Sequence, residues 1–159
     1  MSTQLAGTGI ADRTGAIIED LKGLEGPLLP ILHGIQHEFG YVPQQSLPVI
    51  AEALNLSRAE VYGVVSFYHD YRSHPAGRHV LKLCQAEACQ SMGSDAIAAM
   101  VKQRLGIDFH ETAKDGSVTL EPVYCLGLCA CSPSAMLDGE VIGRLDADKI
   151  DEIVAELRV

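Results

Sequence analysis

Residues 79–89 read HVLKLCQAEAC, and residues 118–131 read VTLEPVYCLGLCAC. In both stretches a short run rich in Val and Leu is followed within a residue or two by a cysteine, which predicts a β-strand that ends at the first cysteine of a group. Folds built on sheets commonly place their functional side chains on the loops that follow the strands. Two such loops from neighbouring strands can converge, so these two stretches predict one site at one edge of a sheet.

The rest of the second half supplies the other elements of this sheet. A helix is predicted from Ser94 to a cap at Gly106. Pro122 predicts that the second strand lies at an edge or ends there. Asp138-Gly139 between two apolar segments predicts a two-residue hairpin turn, and Asp146 predicts the start of a last helix. The order strand, helix, strand, strand, strand, helix is that of a small α/β sandwich of thioredoxin type.

In the first half, apolar residues recur at helical spacing in segments that Gly and Pro residues separate. A short helix is predicted over Ile17–Leu21, a second follows Pro27, a third lies near Ile50, and a fourth begins at Ser57, where Ser57 and Glu60 form a capping-box pattern. We therefore expect an α+β protein with a flexible N-terminus over residues 1–13, a helical bundle over 14–76 and the thioredoxin-like domain over 77–159.

Composition narrows the class of protein. The 159 residues are 47% apolar and 21% charged, which is typical of a globular chain. The net charge of −9 argues against a surface that binds nucleic acid or anionic lipid. The N-terminus lacks the features of a secretory signal, and no apolar run is long enough for a membrane span. We expect a cytoplasmic protein, in a reducing compartment where clustered cysteines more often bind metal than form disulfides.

The spacing of the cysteines leaves three interpretations. Four residues separate Cys84 from Cys89, and three separate Cys125 from Cys129. The spacing of the first pair is found in plant-type [2Fe–2S] ferredoxins. Structural zinc sites more often have two residues between paired cysteines. The third possibility is that the thiols are inert. A dithiol redox site would need C-x-x-C, which the chain lacks. Residues 122–137 contain no Asp, Glu, Lys, Arg or His, and carboxylates near a cluster of negative charge would disfavour its reduction, so the spacing and this composition favour iron and sulfide.

Cys131 is the odd thiol, and it could be a substitute ligand, a redox-active neighbour or a small buried residue, of which the last is favoured. His33 and His37 stand four residues apart on one helix face, but the sequence offers no third ligand, so a packing role is favoured there. No nucleotide-binding loop and no nucleophile–base motif is present. The residues by themselves therefore support one-electron transfer through a [2Fe–2S] cluster.

The order of the motifs resembles a known family. LLPILHGIQHEFGYVP at residues 28–43, EVYGVVSFYHDYR at 60–72 and the two cysteine groups are similar to the thioredoxin-like [2Fe–2S] subunit of respiratory NADH dehydrogenase, its 24 kDa subunit, from about residue 14 to the C-terminus. The resemblance implies a helical bundle, a thioredoxin-like domain and one [2Fe–2S] cluster whose ligands are Cys84, Cys89, Cys125 and Cys129. Cys131 lies outside this pattern.

Within the family, CQAEACQSMG at residues 84–93 and YCLGLCACSPSAMLDGEV at 124–141 are most similar to the gamma subunit of NAD-dependent, molybdenum-containing formate dehydrogenases. This resemblance implies two partners: a flavoprotein with FMN, a [4Fe–4S] cluster and the NAD site, and a molybdenum-containing subunit that oxidises formate. The chain would catalyse nothing alone. The equivalent subunit of NADH:quinone oxidoreductase or of an NAD-reducing hydrogenase, and a four-thiolate zinc interaction module, are the alternatives.

Overall fold

The computed structural model describes residues 6–157. The chain forms two compact units, and the boundary between them lies between Pro75 and Ala76. No helix within residues 6–157 is both long and apolar enough to cross a membrane.

The first unit consists of four helices: α1 (Ala6–Leu21), α2 (Leu28–Phe39), α3 (Ser46–Ala53) and α4 (Arg58–Phe67). Gly40 ends α2 in the left-handed conformation, where its lack of a Cβ avoids strain. The capping box at α4 forms as the sequence predicts, because Ser57 and Glu60 satisfy each other's backbone N–H groups. The buried core of this unit comprises Ile18, Ile31, Leu32, Ile35, Val42, Ile50, Ala51, Val61 and Tyr71.

Helix α1 begins earlier than the sequence predicts. Residues 6–13, expected to be part of a flexible N-terminus, are helical, whereas residues 1–5 lie outside the described part of the chain. Gly7 and Gly9 weaken the helical signal in this part of the sequence, because glycine disfavours helix interiors. One of its buried positions is also polar, since Thr14 is fully buried and hydrogen-bonds Ser46 across 3.0 Å.

The second unit is a five-stranded mixed sheet with helices. Its strands are β1 (His79–Cys84), β2 (Glu111–Thr112), β3 (Val118–Val123), β4 (Ser134–Leu137) and β5 (Glu140–Gly143), in the order β2-β3-β1-β4-β5. Its helices are α5 (Glu87–Ser91), α6 (Ser94–Leu105) and α7 (Ala147–Glu156), with a 3₁₀ turn at Cys129–Cys131. Strands β1 and β3 are parallel, and the remaining pairs are antiparallel. The α+β prediction, with a thioredoxin-like second domain, is confirmed.

Strand β3 shows the second of the two placements that Pro122 predicted, because Pro122 lies at the end of the strand. It is not an edge strand, since the two-residue strand β2 covers its outer side. Strand β2 pairs only with Thr119 and Leu120, so it does not reach Pro122, whose missing N–H falls at the end of the strand. The Asp138-Gly139 turn forms as predicted, with both residues at positive φ, the requirement of a tight hairpin turn of this type.

Candidate metal centre

The parallel pairing of β1 and β3 brings both cysteine groups to one edge of the sheet. Cys84 is the last residue of β1 and lies in register with Val123, the last residue of β3. Cys125 follows β3 by two residues, Cys89 lies in α5 just after β1, and Cys129 opens the 3₁₀ turn. The predicted convergence of the two loops therefore results from strand direction and register.

The thiols of these four cysteines form two interacting pairs. The Cys125 and Cys129 sulfurs are 3.7 Å apart, and the interaction of Cys89 with Cys84 helps to lower the pKa of Cys89. The pKa of Cys129 is raised above its ordinary value, first by its hydrogen bond and charge interaction with Cys125, then by desolvation and by the negative charges of Cys89 and Cys84. Cys129 therefore lies within electrostatic range of the other three thiols.

The two pairs differ in their exposure to solvent. Cys84 and Cys89 are each 2% exposed, whereas Cys125 and Cys129 are exposed. Tyr124, next to Cys125, is 76% exposed. One side of the site is therefore enclosed by the protein, and the other is open to an approaching molecule.

Cys89 is surrounded by hydrogen-bonding groups. Its sulfur lies 3.5 Å from the hydroxyl oxygens of both Ser132 and Ser134. Burial by itself raises the pKa of Cys89, but its hydrogen bonds with Ser132, with Ser134 through both hydroxyl and backbone, and with Cys84 lower it below its ordinary value. The pocket thus favours the thiolate, the form of cysteine that binds metals.

The loop after β3 has the shape needed to present sulfur to a bound group. Cys125 has a φ of +99°, which a residue with a side chain rarely adopts, and Gly127 follows with +79°. This geometry directs the Gly127 backbone N–H at the Cys125 sulfur across 3.3 Å. A backbone donor of this kind stabilises negative charge on a cluster sulfur.

The 3₁₀ turn that carries Cys129 rests directly on the strand β5 segment. The carbonyl of Cys131 accepts a hydrogen bond from the Arg144 N–H at 2.6 Å, and the Pro133 carbonyl accepts one from Leu145 at 3.0 Å. A Cβ on Gly143 would lie 2.8 Å from the Cys131 Cβ. Residue 143 must therefore be glycine for the turn to approach this closely, a contact that sequence reasoning did not identify.

These donors fit a [2Fe–2S] cluster. In such a cluster each iron takes two thiolates, so the donor set is two pairs of cysteines. Within residues 6–157, no group of three or more His, Cys, Asp or Glu side chains is arranged to hold a metal ion. The four cysteines lie as two pairs, with a backbone N–H beside Cys125 and serine hydroxyls beside Cys89.

The other sequence candidates belong to the first unit. His33 packs its ring against Tyr71, with the ring centroids 5.3 Å apart. Tyr71 is buried, whereas Tyr62, Phe67 and Tyr68 are exposed on or beside α4. Tyr71 thus belongs to the core, whereas the other three aromatic residues lie on the surface.

Comparison with known proteins gives concordant results. A family model described as thioredoxin-like [2Fe-2S] ferredoxin matches residues 14–158. The NADP-reducing hydrogenase subunit HndA of Solidesulfovibrio fructosivorans is 34% identical over 139 residues, which cover 87% of this chain and 81% of that protein. An NADH-quinone oxidoreductase subunit of Mycobacterium tuberculosis is 37% identical over 131 residues, but the match covers 82% of this chain and only 52% of that protein.

The fold has a counterpart among solved structures. A chain of the NAD⁺-reducing [NiFe]-hydrogenase in its H₂-reduced state superposes with a TM-score of 0.70 and 24% identity, over 82% of this chain and 22% of the hydrogenase chain. This likeness concerns the fold. The chain thus spans about half of the Mycobacterium protein and about a fifth of the hydrogenase chain.

Proposed function

Because this chain belongs to the thioredoxin-like [2Fe–2S] ferredoxin family, which carries one [2Fe–2S] cluster, we propose that it is an electron-transfer subunit of an NAD-linked oxidoreductase complex. The observation that carries the proposal is the meeting of two thiol pairs at the end of β1 and β3. The hydrogenase and NADH-quinone oxidoreductase names of the relatives support the complex type.

Cys84, Cys89, Cys125 and Cys129 are the proposed ligands. When bound, a [2Fe–2S] group would supply one-electron exchange. Cys84 and Cys89, both 2% exposed, would hold it from the enclosed side of the site and keep water away. Cys125 and Cys129, both exposed, would hold it from the side that a redox partner can approach.

The helical unit has a surface suited to such a complex. Phe67 and Tyr68 at the C-terminal end of α4 are 71% and 44% exposed, with their ring centroids 5.2 Å apart, and Tyr62 earlier in the helix is 58% exposed. Exposed aromatic side chains in a group are a common mark of protein–protein contact surfaces. We propose that a partner subunit binds to this surface.

We propose an NAD-dependent, molybdenum-containing formate dehydrogenase as the complex. The support is the similarity of residues 84–93 and 124–141 to the gamma subunits of those enzymes. Under this proposal the chain is cytoplasmic and exchanges electrons with a flavoprotein that carries FMN, a [4Fe–4S] cluster and the NAD site. Formate is then oxidised at molybdenum on another polypeptide.

The alternative is the equivalent subunit of a hydrogenase or an NADH:quinone oxidoreductase, which the names of the relatives favour. Affinity purification of the tagged chain from its native cells, followed by identification of the bound polypeptides and their metals, separates these cases. A flavoprotein with a molybdenum subunit is the expected result. A nickel–iron subunit would replace the formate assignment with a hydrogenase, and a chain that contains zinc without sulfide would contradict electron transfer altogether.

A further inference from the structure

The Ser134 hydroxyl is directed at a buried sulfur. Ser134 is the first residue of β4 and is 2% exposed, and its hydroxyl oxygen lies 3.5 Å from the Cys89 sulfur. Among the described residues, Cys89 is the hydrogen-bond partner of this hydroxyl. Water cannot readily replace that bond at a position so deeply buried, so the hydroxyl and the sulfur depend on each other.

The neighbouring Ser132 hydroxyl already donates its hydrogen to another acceptor. It donates its hydrogen to the carbonyl oxygen of Cys129 at 2.8 Å, and it lies 3.5 Å from the Cys89 sulfur as an acceptor of the thiol proton. A hydroxyl has one hydrogen to donate. Once Cys89 has lost its proton to become a metal ligand, Ser134 can donate to the sulfur, whereas Ser132 must first give up its bond to Cys129.

We infer that the Ser134 hydroxyl donates a hydrogen bond to the ligated sulfur of Cys89 and thereby raises the reduction potential of the bound cluster. This inference rests on the proposed function, because it requires Cys89 to be a cluster ligand. Reduction adds one negative charge to a group already negative, and a hydrogen-bond donor on a ligand sulfur stabilises the more negative state more strongly.

The test is a redox titration of the cluster-loaded, full-length chain, monitored by electron paramagnetic resonance. Ser134→Ala is expected to lower the equilibrium constant for reduction by about tenfold, which corresponds to about 59 mV for a one-electron couple. Ser132→Ala is expected to produce a clearly smaller shift. Ser91→Ala is the matched control, because Ser91 lies in α5 two residues after Cys89 and its hydroxyl donates to the Ala88 carbonyl. The potential of this variant should equal that of the unmodified chain.

Two further variants keep the test decisive if Ser134→Ala takes up no cluster. Ser134→Thr and Ser134→Val have the same shape and differ in the hydroxyl, so the Thr variant should hold the higher potential. Equal potentials in this pair, or an unchanged potential in Ser134→Ala with a full cluster, would overturn the inference and leave the proposed function intact. An unmodified chain that binds neither iron nor sulfide would contradict the proposed function itself.

Discussion

Gly143 in β5 lies so close to the 3₁₀ turn that the effect of adding a side chain there can be calculated. In Gly143→Ala, the new Cβ would lie 2.8 Å from the Cys131 Cβ and 2.9 Å from the Cys131 carbonyl oxygen. Ordinary carbon contacts begin near 3.4 Å, so the turn or the strand must move by at least about 0.6 Å. The turn is also held by the Arg144 N–H, which hydrogen-bonds the same carbonyl at 2.6 Å.

We therefore expect Gly143→Ala to act on both fold and site. Overpacking of a close contact costs about 1–3 kcal/mol of unfolding free energy. Because Cys129 opens the displaced turn, its sulfur should also leave the position in which it pairs with Cys125. Urea unfolding of the metal-free chain measures the first effect, and the rate of visible colour loss under an iron chelator measures the second.

A glycine without close neighbours provides the control for this substitution. Gly63 lies inside α4, and a Cβ there would meet no atom within 4 Å. Gly63→Ala should stabilise the helix by about 0.5–1 kcal/mol and leave cluster release unchanged. If Gly143→Ala proves as stable as the unmodified chain and releases iron at the same rate, the argument from close approach is wrong.

Two further predictions follow from the site and the sheet. Cys129→Ser should weaken or abolish cluster binding, whereas Cys131→Ser should leave it largely intact; iron bound per chain is the measurement, and equal losses would refute the ligand assignment. Burial by itself raises the pKa of Asp138, but hydrogen bonds from His79 at 2.6 Å and from a backbone N–H of β1 lower it below its ordinary value. The Asp138 carboxylate therefore stabilises the fold fully when the pH is above the ordinary pKa of an aspartate. This stabilisation is lost as the pH falls through the lowered pKa. Asp138→Asn should reduce the unfolding free energy by less than about 1 kcal/mol near neutral pH, since the pair is partly exposed, and by progressively less in acid; urea unfolding across that range tests this, and a pH-independent difference would argue against it.

Local sequence signals predicted those elements whose conformation is decided by neighbouring residues. The turn at Asp138-Gly139 needs positive φ at both positions, and the start of α4 needs the reciprocal bonds of Ser57 and Glu60, so both could be predicted from the sequence. The meeting of the cysteine loops followed from the order of strands alone, since a strand–helix–strand crossover makes the strands parallel.

Features that depend on distant residues could not be predicted in this way. The interior position of β3 depends on β2, a two-residue strand too short to show any periodicity. The Ser134 hydroxyl meets a sulfur 45 positions away along the chain, and the Gly143 contact arises only when β5 lies against the 3₁₀ turn. Such contacts between distant residues adjust the site after the fold has placed the thiols.

The central claim is that the four cysteines at the end of β1 and β3 hold a [2Fe–2S] cluster. The most direct measurement is iron and acid-labile sulfide per purified chain, combined with electron paramagnetic resonance after reduction with dithionite. The account predicts about two iron and two sulfide per chain, with one unpaired electron in the reduced state. A colourless protein with bound zinc, no sulfide and no signal would contradict it.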